Sequence, residues 1–204
     1  MTRRFAILLD GGFVIQRLRG RLARSPTPDD VLSECNRIAA RTEFATLSLL
    51  RIYWYDAPPA TARVVNPLSR ERTDLRETPT YAARSRFQDE LELRPNVALR
   101  RGELSVHGWR VRDGALREIA RTPRALAADD LELNLEQKGV DLRIGLDIAR
   151  LALRRLVESL VVVTGDSDLV PAFRFARREG LRVFLDHLGG PVKRDLKAHV
   201  DVVL

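Results

Sequence analysis

Four aspartates in three separated segments carry the chemistry that this sequence offers. Asp10 directly follows the apolar run Phe5–Leu9, Asp141 sits in Lys138-Gly139-Val140-Asp141, and Asp166 and Asp168 sit in Thr164-Gly165-Asp166-Ser167-Asp168. An acid placed at once after a short apolar run falls, in an open parallel sheet, at the carboxyl end of a strand, which is the edge where such sheets bind ligands. Carboxylates gathered there repel one another and have raised pKa values unless a divalent cation neutralises them. The pattern therefore points to a hard-metal site.

Three of these acids also have a structural use. Asp10 opens Asp10-Gly11-Gly12-Phe13, and Asp-Gly begins many turns. Asp168 can cap a helix starting at Leu169, and Asp141 lies in the first turn of a helix, where the dipole favours a carboxylate. Asp147, six residues on, is rotated about 120° from Asp141. It is expected outside the site, in an ion pair with Arg143 and Arg150.

Other hydrolytic chemistries find little support. His107, His187 and His199 lack metal-ligand spacing, and neither a Gly-x-Ser-x-Gly elbow nor a phosphate-cradling loop occurs. A phosphatase built on a strand-end aspartate would want a second aspartate two residues later, where Gly12 stands. Cys35 is the single cysteine, so neither an intramolecular disulfide nor a multi-cysteine zinc site can form, and it reads as a partly buried, inert thiol.

The elements that must position the acids alternate. Phe5–Leu9 and Leu47–Tyr55 read as strands, Val14–Arg24 as a helix, and Asp29 or Asp30 as the cap of a second helix through Ile38. From Thr61 to about Gln137 the pattern weakens: a helix over Pro79–Leu93, a strand over Val97–Leu104, and a hairpin turning at Arg112-Asp113-Gly114 between Val106–Val111 and Ala115–Ile119. The last third predicts a helix from Val140 to about Val157, a strand Leu160–Thr164, a helix Leu169–Arg178, a strand Arg182–Leu185, a short helix and a terminal strand Val200–Leu204. Such alternation argues an α/β fold with a mostly parallel sheet. With 204 residues and 45% hydrophobic content, one domain with an insertion at about 61–137 is the simplest organisation.

The formal charge of +7 favours polyanionic partners, and 32 of the 35 basic residues are arginine, whose planar fork suits phosphate. An acidic site in a basic surface suits phosphodiester chemistry. Arg100 and Arg101, adjacent near a strand, and Lys138 and Ser167, beside the acids, are the expected substrate contacts. Asp10 interrupts the N-terminal apolar run too early for an export signal, and no stretch approaches the roughly 20 apolar residues that cross a bilayer. The protein reads as cytoplasmic.

Taken together, Phe5-Ala6-Ile7-Leu8-Leu9-Asp10-Gly11, Lys138-Gly139-Val140-Asp141 and Val163-Thr164-Gly165-Asp166-Ser167-Asp168-Leu169-Val170-Pro171 resemble the NYN domain family, a PIN-like nuclease fold that includes LabA-like bacterial proteins. The resemblance implies a Rossmann-like, three-layer domain over residues 1–204. It also implies a ribonuclease site in which Asp10, Asp141, Asp166 and Asp168 serve catalysis and metal binding. Mg²⁺ or Mn²⁺ suits such all-oxygen ligands. RNA is then the expected partner, and a non-catalytic regulator that keeps the fold and binds RNA or a protein is the alternative.

Overall fold

The computed structural model describes residues 3–204. The chain runs β1 (Arg4–Asp10), α1 (Gly11–Leu22), α2 (Pro28–Ala39), β2 (Ser48–Asp56), β3 (Arg63–Val65), β4 (Arg72–Asp74), α3 (Pro79–Glu92), β5 (Val97–Arg101), β6 (Glu103–Val111), α4 (Asp113–Arg121) and β7 (Leu131–Lys138). It ends with α5 (Val140–Leu153), β8 (Ser159–Val163), α6 (Val170–Arg178), β9 (Arg182–Asp186), α7 (Arg194–Ala198) and β10 (Val202–Val203).

Six strands form one sheet in the order β10-β9-β8-β1-β2-β5, and every pairing in it is parallel. A strand buried on both faces reads as a continuous apolar run, and β1 is the example: Phe5 to Leu9 are at most 2% exposed. Alternate side chains divide between two cores. Ala6 and Leu8 pack with Ile144 and Ile148 of α5 and Phe173 of α6, whereas Phe5, Ile7 and Leu9 pack with Val14 and Leu18 of α1, Ile38 of α2 and Leu91 of α3. The result is the helix–sheet–helix layering that the alternation predicts.

From β1 the chain progresses to β2 and β5 on one side, and later to β8, β9 and β10 on the other. The order therefore reverses between β1 and β8. Parallel sheets of this kind open a crevice at the carboxyl ends of the two strands flanking such a reversal.

Three local expectations are corrected. The hairpin at Arg112-Asp113-Gly114 does not form: β6 pairs antiparallel with β7, and the intervening segment holds α4. Ala115 and Ile119 are four apart, which is helical spacing, and Ala115 is the buried residue of that helix. The expected strand Val97–Leu104 splits at Gly102, with β5 staying in the main sheet and β6 leaving it. Helix α2 is capped by Thr27, not Asp29 or Asp30; Asp30 instead closes a capping box from the third helical position, with Pro28 at the first turn.

Candidate active site at the sheet reversal

Asp10 is the last residue of β1 and the N-cap of α1, where its Oδ1 accepts from the Phe13 amide at 3.2 Å. Its other oxygen accepts from the hydroxyl of Thr164, just past β8, at 3.1 Å. Thr164 is fully buried, and its oxygen in turn accepts from the Asp166 amide at 3.1 Å. This chain of bonds ties the ends of β1 and β8 together across the crevice. Phe13 adds a steric tie: a Cβ on Gly165 would stand 2.7 Å from the Phe13 ring, so only glycine permits this packing of α1 on the loop.

Asp166 caps the 3-10 turn Ser167–Leu169, accepting from the Asp168 amide at 2.9 Å. Asp168, which could have capped the following helix, does not: α6 has Leu169 at its N-cap with no side-chain cap, and Asp168 is exposed. Asp141 lies exposed in the first turn of α5, following the left-handed Gly139 that turns β7 into the helix.

The electrostatics follow from this gathering. Burial raises the pKa of Asp10, and Asp141 and Asp166 add repulsion that its two hydrogen bonds only partly offset. The pKa of Asp141 is raised by desolvation and then by Asp166 and Asp168. Neighbouring carboxylates thus oppose the ionisation of Asp10 and of Asp141.

Two other strand-end acids have the opposite fate. Asp56, ending β2, accepts from Arg84 at 3.0 Å and from Gln88 and Gln137 at 3.1 and 3.0 Å; Asp186, ending β9, is paired with Arg37. Among the described residues, no ion pair of this kind reaches Asp10, Asp141, Asp166 or Asp168.

The donor chemistry of the four acids fits a hard cation. Their spacing is looser: among the described residues no three acid, histidine or cysteine side chains converge into a ligand set.

The expected substrate contacts are dispersed. Arg100 Nε donates to Asp147 at 2.8 Å and its guanidinium lies 5.1 Å from the Tyr53 ring centre; Arg101 pairs with Glu92 at 2.7 Å. Lys138 is exposed, 3.5 Å from Glu136. Asp147 does form an ion pair, though with Arg100 and not with Arg143 or Arg150, and it also accepts from the Tyr55 hydroxyl at 3.0 Å. Arg143 instead donates to the Gly139 carbonyl. Ser167 accepts from Lys193 at 3.1 Å. Lys193 and Thr164 were given no role in the sequence. A hydroxyl directly between a β-branched run and Gly-Asp is the signal that could have found Thr164.

Residues 61–201 match the model of the NYN domain. The chain belongs to the NYN domain family. Membership carries a PIN-like nuclease fold, and the match includes Asp141, Asp166 and Asp168. Asp10 precedes it, but β1 is hydrogen-bonded to β8 inside the matched segment. This NYN chain is also similar to a protein of unknown function from Vibrio parahaemolyticus RIMD 2210633 of solved crystal structure, at 15% identity and a TM-score of 0.51, over 100% of this chain and 92% of that one. At that identity the likeness shows the fold alone. A comparison with curated proteins finds no match. No helix among the described residues is long and apolar enough to cross a membrane.

Proposed function

We propose that this NYN protein hydrolyses phosphodiester bonds of RNA at the crevice between β1 and β8, with Mg²⁺ or Mn²⁺ held by Asp10, Asp166 and Asp141 and assisted by Asp168. The observation that carries this reading is a contrast among acids: Asp56 and Asp186 are paired with arginine, while Asp10 and Asp141 at the reversal have raised pKa values and, among the described residues, no ion-pair partner. When bound, such an ion supplies activation of a water and neutralisation of charge on the phosphate.

The chain's own residues do the rest. Thr164 and the Phe13 amide fix both oxygens of Asp10, and the Asp168 amide fixes one oxygen of Asp166, so these ligands are oriented before substrate arrives. Lys193, hydrogen-bonded to Ser167, brings a cation to the segment bearing Asp166 and Asp168, where it would meet a phosphate oxygen. Arg100 serves a different purpose, holding Asp147. A cytoplasmic setting, where RNA is abundant, accords with this reading.

Incubation with a mixed RNA pool and Mn²⁺ tests it. Cleavage that stops on adding chelator and is absent in Asp166→Asn is the expected result. RNA bound but uncut under every metal condition would favour the second reading, a non-catalytic RNA-binding regulator.

A further inference from the structure

A cleft of about 720 Å³ opens between α1 and α3, beside the turn from β1 into α1. Ile15 and Phe87 give it apolar walls, and Gln16, Arg19 and Gln137 polar ones. Its size is that of a small-molecule pocket, and three observations point to its occupant.

The first is continuity with the carboxylates. A Cβ built on Gly12 would stand 3.6 Å from Asp10 Oδ1 and 3.7 Å from Gln137 Oε1. Gly12, which lines the cleft, therefore lies within reach of both the acid and Gln137. The second is the orientation of Gln137. A carboxylate only accepts, so the amide nitrogen must face Asp56, to which it donates at 3.0 Å. Oε1 is thereby turned toward Gly12 as a fixed acceptor. The third is Phe87, a half-buried ring on the cleft wall that is backed by the fully buried Trp54 at 5.6 Å between ring centres.

We propose that this cleft is a nucleobase subsite. It takes the base of the nucleotide adjoining the phosphate at Asp10, with the ring against Ile15 and Phe87 and an exocyclic amine donating to Gln137 Oε1. The proposal rests on the nuclease reading above for the position of that phosphate. Apolar walls with a few directed polar atoms suit a flat heterocycle, and an aromatic platform is the usual partner of an unstacked base.

The test measures binding in chelator, where no turnover occurs. The probes are a fluorescein-labelled heptamer of adenosine and seven versions, each with one abasic position. One abasic position is expected to weaken binding to the wild type at least fivefold, as follows from about 1–3 kcal/mol per stacked base. Gly20→Leu and Ala83→Leu fill the cleft from opposite walls; Gly20 has open space at its Cβ, and leucine is the better helix former. Both variants should bind the intact heptamer at least fivefold more weakly and no longer distinguish the abasic probes, while Gly20→Ala behaves as wild type. Filled-cleft variants that bind like wild type, or a wild type indifferent to every abasic position, would overturn the subsite, and the latter needs no variant to fold. Adding Mn²⁺ separates the two readings: cleavage at an unchanged rate in Gly20→Leu removes the subsite and leaves the nuclease, whereas the expected binding pattern without cleavage removes the nuclease and leaves a base-binding cleft.

Discussion

Asp10 performs two tasks that pull in opposite directions. As an N-cap and an acceptor from Thr164 it supports the fold, yet its burial beside Asp141 and Asp166 makes the ionised form costly. A carboxyl group whose folded pKa exceeds its unfolded value binds more protons in the folded state, so its contribution to stability falls as pH rises from near 4 through the raised folded value. Asp10→Asn keeps the capping oxygen and removes the charge. In chelator at pH 7 it should melt higher than wild type, and the difference should vanish on acidification below pH 4; a lower melting temperature at pH 7 would show that the hydrogen bonds outweigh the burial. With metal present the order reverses: Mn²⁺ should raise the melting temperature of wild type but not of Asp10→Asn or Asp166→Asn, and both variants should lose roughly 100-fold or more in turnover. Asp147→Asn should instead cost about 1–3 kcal/mol of stability, through Arg100 and Tyr55, with turnover per folded molecule within a few-fold of wild type. Asp10 and Asp166 stand out in the sequence because each follows an apolar run that marks a strand, whereas Asp141 lies in the first turn of a helix. Asp56 and Asp186 share the same grammar, and what separates them from Asp10 is an arginine supplied by a distant helix, Arg84 or Arg37, which no local pattern discloses. Asp147 shows the same limit: its helical neighbours were the visible partners, and Arg100 of β5 the actual one.

At the level of elements, the site depends on how closely α1 approaches the loop after β8. Gly165→Ala drives a methyl group into the Phe13 ring, so it should separate Asp10 from Thr164 and lower turnover about tenfold or more. Combining it with Phe13→Ala makes room again and should recover part of that loss, which paired rate measurements on the single and double variants would show; no recovery would place the damage in the loop itself. The parallel strands were readable from their unbroken apolar runs, since both faces of the sheet are covered. The arm of β6, α4 and β7 was not. Its strands are only half covered, their alternation is diluted by charge, and the pairing of Val111 with Leu131 spans a helix that a short-range turn signal cannot anticipate.

For the molecule as a whole, charge sets the terms of encounter. A chain of +7 should bind RNA with an affinity that falls steeply with salt, because each phosphate neutralised by lysine or arginine releases a counterion. Titrations between 50 and 200 mM salt, roughly the range over which such contacts weaken most visibly, measure the slope; a flat response would point to a partner other than nucleic acid. Many of the arginines are already committed, Arg37 to Glu34 and Asp186, Arg84 to Asp56, Arg124 to Asp130, so the slope should be shallower than the formal count of basic residues suggests.

The position of β1 has a consequence for the birth of the protein. This strand lies inside the sheet, and the bond that joins Asp10 to Thr164 closes a span of 154 residues. Contacts so far apart along the chain form late, after the intervening entropy has been overcome. Until β8 emerges, Asp10 has neither its hydroxyl partner nor the acids beyond it. The acids at the crevice are therefore brought together only when β1 and β8 have paired, whatever chemistry they serve.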